Sequence, residues 1–350
     1  MAVTAPAPLF HPHHTLADRL VLENLYHDIH RHAAAVASSP AEKSQHPPSS
    51  NIPPTDDNDA RTTARLHALN DPAHPDFEPC VFARYDARDL SVRARRWLLD
   101  PYRRAAARVV RHPTDVVFLT NILWNAAVTL PSAALLLAGG GGGGSAGTRW
   151  WWWVHGVAHV LQVVWCMGPF TLMMHNHIHN GGVLRAGWAW LDRGFPYVLE
   201  PLLGHTWDSY YYHHVKHHHV ESNGPDDLSS TLRYQRDDVR DFLRYEAKFM
   251  FLVWLELPMY FWRKGKPGMA CRAAASEMAS YAFLYAMTRR FGLAPAACVF
   301  LVPLALMRTA MMIGNWGQHA LVDDVDPDDD LRSSIPLIDV PSNRFSFNDG

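Results

Sequence analysis

Several things this chain lacks narrow what it can be. Its four cysteines, Cys80, Cys166, Cys271 and Cys298, contain no CxxC pair, which excludes a zinc ribbon and a disulfide framework and fits a reducing environment. Neither charge sign prevails: Lys and Arg total 32 against 34 Asp and Glu, so a nucleic-acid partner has no electrostatic support. The start, MAVTAPAPLFHPHH, has neither the basic residues nor the unbroken apolar core of a secretory signal, and membrane insertion must depend on an internal span. The glycine run Gly139–Gly144 is not followed by the Lys-Ser/Thr pair of a phosphate loop and reads as a flexible turn. The acidic run Asp323–Asp330 lacks the spacing and glycine of an EF-hand, leaving a solvated loop.

What is present divides by composition. Three hundred and fifty residues would ordinarily suggest two domains. Here a polar first third precedes long apolar runs, giving one membrane-embedded unit behind a soluble extension. Residues 1–37 form an N-terminal helical extension with apolar positions Leu16, Leu20, Leu22, Leu25 and Ile29; its histidines, His27, His30 and His32, read as a solvated face. Residues 38–62, rich in Pro, Ser and Asp, read as an unstructured linker. Residues 63–115 are a basic pre-membrane segment in which Arg88, Arg93, Arg95, Arg96, Arg103, Arg104 and Arg108 favour retention on the cytosolic side.

The membrane domain, 116–350, is expected to be all-α, with four transmembrane helices in two hairpins, interfacial helices and a cytosolic histidine-rich cap. The expected spans are 116–138, kinked at Pro131; 150–174, opened by four tryptophans at an interface; 273–288; and 294–313. Residues 188–204 are too charged to cross, and 246–262, containing Glu256 and Pro258 and followed by Arg263, Lys264 and Lys266, reads as re-entrant or interfacial. Two hairpins return the chain to the cytosol at Gly314.

The functional signal is histidine. His175 to His219 holds the runs HNHIHNGG and HTWDSYYYHHVKHHHVESNGPDD. Imidazole is the commonest protein ligand for a transition metal near neutral pH. On a helix His175 and His179 share a face while His177 points away, and His214, His217 and His218 form an HxxHH set that can converge on one side. His213 pairs with His217 in the alternative register, and His219 falls off the stripe. Beyond the fourth span, Asn315 and His319 are again four apart. An earlier HxxxH pair, His155 and His159, lies about 24 Å of helix from His175 and is read as helix packing.

Through His175-x-x-x-His179, His214-x-x-His217-His218 and Asn315-x-x-x-His319, residues 116–350 resemble the integral-membrane fatty-acid desaturase superfamily. The resemblance implies an oxygen-dependent lipid desaturase or hydroxylase with two non-haem irons and O2 as cofactors. It makes His175, His179, His214, His217, His218 and His319 the iron ligands, with Asn315 holding a water beside one metal. It implies a bilayer and an acyl lipid as partners, endoplasmic-reticulum localisation with the N-terminus and boxes cytosolic, and electrons from a separate cytochrome b5 and its reductase, since no HPGG haem element occurs. The family also expects a further HxxHH box after the NxxxH element. The chain ends at RFSFNDG without a histidine beyond His319, so it is expected to be either a product truncated before that box or a catalytically dead relative.

The chemistry agrees with this design. Taking hydrogen from an unactivated methylene lies beyond side-chain acid–base catalysis, so a redox cofactor must carry it. Each ligand ring needs an acceptor for its second nitrogen, for which Asp208, Glu221, Asp226 and Asp227 are candidates. Two other classes compete: a membrane metal-binding or transport protein, which would need ligands near mid-bilayer, and a zinc membrane hydrolase.

Overall fold

A computed structural model describes residues 16–38, 57–75, 80–83, 90–140 and 146–319, with positions 10, 14 and 77 besides. The acidic run and the C-terminal stretch lie outside the described residues. Among those described the chain is helical, and β-structure amounts to one bridge between Val110 and Leu184. Among the described residues three helices are long and apolar enough to cross a membrane: α4 (Pro113–Ala138), the stretch Trp150–Asn180 within α5 (Ala146–Asn180), and α10 (Leu293–Gln318). These coincide with the first, second and fourth expected spans. Leu135, Val157, Leu161 and Trp165 are exposed on their outer faces, as a lipid-facing surface requires.

Proline shapes two of these helices in the same way. A proline clashes with the carbonyl four residues earlier and offers that carbonyl no donor. Pro131 and Pro303 would meet this at Ala127 and Val299, and both positions lie inside π-helical turns, Asn125–Thr129 and Ala297–Leu301. The widened turn absorbs the missing bond without ending the helix.

Antiparallel packing of α4 on α5 follows a polar seam. Ser132 Oγ lies 2.9 Å from both His155 Nε2 and His159 Nδ1, Gln162 Nε2 donates to Thr129 Oγ1 at 3.0 Å, and Trp152 Nε1 donates to the Leu136 carbonyl at 3.2 Å. The early HxxxH pair is thus a helix-packing contact. Helix α10 runs parallel to α5, with Thr171 Oγ1 3.4 Å from Met307 Sδ. Around them Phe118, Phe170, Met173, Leu199 and Phe300 form the main core.

The remaining helices complete the box-bearing end. After the Gly181–Gly182 turn, both glycines at positive φ, α6 (Ala189–Leu202) packs against α4 and α10. A π-helix, α7 (Tyr211–His218), carries the second box. Helix α8 (Val239–Arg263) touches this end at both of its own ends, Tyr245 at Asn315 and Tyr260 at His217. It is not among the helices long and apolar enough to cross a membrane. Helix α9 (Pro267–Phe291) turns back against α8 and runs antiparallel to α10, with Glu277 against Arg308 and Phe283 against Phe300. It contains the expected third span but, bearing Arg272, Glu277, Arg289 and Arg290, is less apolar than the other three.

One boundary is corrected. The linker expected over 38–62 ends earlier, because α2 (Asp57–Asn70) begins inside it and pairs with α1 (Leu16–Ser38). Asn58 Nδ2 donates to Asn24 Oδ1 at 2.6 Å. The residues that read as linker-like, Asp57-Asn58-Asp59, are also those that favour a helix N-terminus.

Candidate metal centre

The first box leaves the C-terminal end of α5, where the chain is clamped rather than frayed. Arg111 donates to the carbonyls of Asn180 at 2.6 Å and Gly181 at 3.0 Å, capping acceptors the helix leaves open. Asp192 Oδ1 accepts from the amides of Val183 and Leu184 at 3.1 and 3.3 Å. His177 belongs to this clamp. Its Nε2 lies 3.1 Å from the Asp192 carbonyl and its ring packs on Phe195, so it points away from the box face.

His175 and His179 stack on that face with ring centres 4.7 Å apart. The second box meets them there: His214 lies 4.5 Å from His175, and His219 lies 4.8 Å from His179 and 4.4 Å from His214. One nitrogen from each of these four rings lies within 4.8 Å of every other, a donor set that could hold a metal ion. Burial depresses the basicity of His214, and the neighbouring rings of His175, His219, His218 and His213 add to the effect. The ring stays neutral, the form that offers a lone pair to a metal.

His219 is the member not expected, and the cause is the winding of α7. At 3.6 residues per turn, positions three and four apart fall together, which groups His214 with His217 and His218. A π-helix closes its bonds five residues apart, so His214, His218 and His219 share one side and His213 and His217 the other. The structure therefore brings five of the six expected histidines toward one another and turns His217 elsewhere. His217 is fully buried, its ring 4.5 Å from Tyr260, and its Nε2 accepts from the Leu228 amide at 3.1 Å. Its Nδ1, buried and without a hydrogen bond, is 3.9 Å from Asp227 Oδ1. His213 faces Phe249 at 5.0 Å, its buried Nε2 likewise lacking a hydrogen bond; burial and the rings of His217 and His218 push it down to about 3.

His218 sits between the four-ring group and the end of α10, 5.8 Å from His214 and 5.6 Å from His319. Its Nδ1 donates to Asp227 Oδ2 at 2.6 Å. Asp227 is fully buried and also accepts from the Asn223 amide at 3.1 Å, and from the amide and hydroxyl of Ser229 at 2.8 Å each. Burial alone would raise this carboxyl, but the His218 bond and the surrounding rings outweigh it and hold the group below the ordinary carboxylate range. An anionic Asp227 fixes the proton of His218 on Nδ1 and leaves Nε2 as the ligand atom. The other three candidate acceptors serve elsewhere: Glu221 and Asp226 hold Lys264 at 3.0 and 2.8 Å, and Asp208 bonds Tyr197.

Asn315 is oriented by two acceptors, since its Nδ2 donates to Tyr245 Oη at 2.7 Å and to the Ser229 carbonyl at 3.0 Å. Thr231 Oγ1 donates to the His319 carbonyl at 3.3 Å. The segment 223–231 thereby ties the second box to the NxxxH element. Sequence reasoning missed Tyr245, Ser229 and Thr231, which carry no signal in local periodicity. Beside the rings a cleft passes between His213 and the buried Glu277–Arg308 pair on its polar side and Phe249, Val253, Leu257 and Met311 on its apolar side.

Similarity to known proteins agrees with this geometry. No curated protein and no solved structure gives a match. A family model described as Fatty acid desaturase matches residues 150–350, a stretch containing all three histidine-bearing elements. That match spans more than half of the 350 residues, and with three apolar helices long enough to cross a bilayer the chain belongs to the fatty acid desaturase family of membrane proteins.

Proposed function

We propose that this protein is an oxygen-dependent lipid desaturase or hydroxylase whose metal centre holds two non-haem irons. The observation that carries the reading is the convergence of His175 and His179 from one helix with His214 from another, at the end of an apolar helix long enough to cross a bilayer. The donor set is chemically suitable, because neutral imidazoles of this number suit ferrous iron and no thiolate lies among them. His175, His179 and His214 would hold one iron; His218 and His319, with Asn315 steadying a water, would contribute to the second. When bound, such a pair supplies the one-electron oxygen chemistry needed to break an unactivated C–H bond.

The protein's own residues would do the rest. Asp227 keeps the His218 lone pair directed outward, and Tyr245 and Ser229 keep the Asn315 carbonyl free to accept. Phe249, Val253, Leu257 and Met311 offer an apolar wall for an acyl chain leading toward His213. Helix α9, running antiparallel to α10, supports counting it as the third of four crossings, with the boxes and N-terminus cytosolic and the endoplasmic reticulum as the compartment. Electrons would come from a cytochrome b5 and its reductase.

Placement of the rings at a helix end, away from mid-span, argues against a transport pathway. The test is to express the chain in a host of known lipid composition, purify it, and measure its metal and the host's acyl chains. Bound iron together with acyl products lighter by two hydrogens, or heavier by one oxygen, is expected. A single zinc with unaltered acyl chains refutes the proposal in favour of a hydrolase.

A further inference from the structure

We infer that the helix over residues 92–106 is a docking surface for anionic phospholipid, on the face of the bilayer that carries the histidine boxes. The assignment draws on the first apolar helix alone and is independent of what the boxes hold.

The position of this helix fixes its surroundings. Ser91 caps its first turn, accepting from the Ala94 amide at 3.2 Å. Tyr102 Oη lies 2.7 Å from Thr120 Oγ1, and Thr120 stands about 10 Å of helix beyond Pro113, where α4 begins. The chain that follows is held as well, since Arg185 donates to the carbonyls of Ala107 at 3.1 Å and Val110 at 2.8 Å. The helix therefore lies against the first turns of α4, beside the end of α5 from which the first box emerges. Val116, Val117, Phe118 and Leu119 are all buried, and four successive positions of a helix face every side of it. The start of α4 is thus sheltered from lipid, and Leu99, Tyr102 and Ala106 belong to the core that shelters it. Whatever the helix presents outward takes the place next to the bilayer.

What it presents is apolar and basic together. Val92, Trp97 and Leu98 are 71, 69 and 73% exposed, large groups that favour the boundary between water and hydrocarbon, the indole above all. Around them residues 91–108 hold six arginines, Arg93, Arg95, Arg96, Arg103, Arg104 and Arg108, against the single acid Asp100, which Arg103 approaches at 3.9 Å. Arg93, Arg96, Arg104 and Arg108 are exposed, and among the described residues no carboxylate lies within ion-pair reach of them. The Arg96 guanidinium sits 5.8 Å from the centre of the Trp97 ring, so cation and indole are offered as one unit. Arg95 Nε is buried and makes no hydrogen bond.

An acidic protein could meet the arginines but would leave Trp97 and Leu98 in water. A phospholipid of net negative charge meets both. Its phosphate oxygens suit the planar fork of a guanidinium, and its acyl region receives the apolar side chains. A zwitterionic lipid offers the same phosphate beside its own cation and lacks the net field that draws arginine to a surface.

The experiment titrates detergent-solubilised full-length protein with phosphatidylserine or phosphatidylcholine and counts bound lipid by native mass spectrometry. The wild type is expected to bind phosphatidylserine about fivefold or more tightly than phosphatidylcholine, the effect of even one arginine near an anionic surface. Raising the ammonium acetate concentration should narrow that difference, as exposed charges are screened. The triple variant Arg93→Gln, Arg96→Gln, Arg104→Gln is expected to lose the preference with its melting temperature unchanged, and Trp97→Ser with Leu98→Ser to weaken binding of both lipids. Equal binding of the two lipids by the wild type, or a wild-type preference in the triple variant, overturns the inference. Unchanged lipid binding in the Trp97→Ser, Leu98→Ser variant overturns it too, as does capture of poly-glutamate by a wild type that shows no lipid preference, which would give the surface to an acidic protein.

Discussion

Replacing Asp227 by asparagine tests whether one buried carboxylate sets the protonation of the metal-facing ring. The wild-type carboxylate accepts from His218 Nδ1 at 2.6 Å, from the Asn223 amide, and from the amide and hydroxyl of Ser229, with no exposure to solvent. An asparagine has one oxygen for these donors. If its NH2 replaces Oδ2 it opposes the Asn223 amide, and if it replaces Oδ1 it opposes the Ser229 amide. One bond to a charged acceptor, at about 1.5–3 kcal/mol, is lost, and one buried donor is left unmade at about 1–3 kcal/mol. The sum, about 3–5 kcal/mol, should lower the melting temperature by on the order of 10 °C, readable from the intrinsic fluorescence of the 13 tryptophans.

The same substitution acts on the metal. With its NH2 toward His218, the amide donates to Nδ1, the proton moves to Nε2, and iron binding weakens by about 10–100-fold. The pH dependence has a defined sign. Asp227 is held below the ordinary carboxylate range, so its contribution is fully present above the unfolded value of about 4 and is lost as the pH falls further. The difference in melting temperature between wild type and Asp227→Asn should therefore narrow below about pH 4. A variant that melts and binds iron as the wild type does would refute the role assigned to Asp227.

Three further outcomes follow from the packing. Glu277→Leu should cost about 3–5 kcal/mol because it strands the buried Arg308 guanidinium, now bonded to Glu277 and Tyr281; the double variant Glu277→Leu with Arg308→Met should recover most of the lost melting temperature. Gly182→Ala should destabilise by about 1–3 kcal/mol, because Gly182 has φ +113° and an added Cβ would run into the Asp192 carboxylate that caps Val183 and Leu184. Tyr245→Phe removes a partner of Asn315 but leaves Ser229, so lipid profiling of expressing cells should show reduced acyl conversion while the melting temperature shifts by only about 1 kcal/mol equivalent.

The parts of the fold legible in the sequence are those fixed by one-dimensional apolarity. Val116 to Ala138, Trp150 onward and Ala294 to Ile313 are runs whose hydropathy alone requires burial or lipid, and each lies within a helix long enough to cross. In the 246–262 stretch Glu256, Pro258 and the basic residues after it lower the apolarity, and its helix is not among those apolar enough to cross. The site was legible to the extent that helical periodicity describes it. His175 and His179 lie on an α-helix and share the expected face, whereas the second box lies on a π-helix, and there the same rule selects His217 over His219. No local feature of YYYHHVKHH announces that winding, in which the ring of His217 meets the loop that follows the box.

What it meets is a stretch that composition marks as loop, ESNGPDDLSST, yet Asn223, Asp227, Ser229, Ser230 and Thr231 are all buried. Buried polar groups are tolerated only where partners satisfy them, and here the partners are mostly one another. Asn223 Oδ1 accepts from the Thr231 amide at 2.9 Å, Ser230 Oγ donates to the Asn223 carbonyl at 2.7 Å, and Asp227 gathers its four donors. A satisfied network of this kind is stiff, since moving one member leaves others unpaired in a poorly screened interior. From that stiff segment, contacts lead outward to His217 through Leu228, to His218 through Asp227, to Asn315 through Ser229 and to His319 through Thr231. Histidines that stand about a hundred residues apart in sequence thus share a frame that contains no histidine. Changes within 223–231 should accordingly disturb the second box and the end of α10 together, while leaving the stacking of His175 on His179 in place.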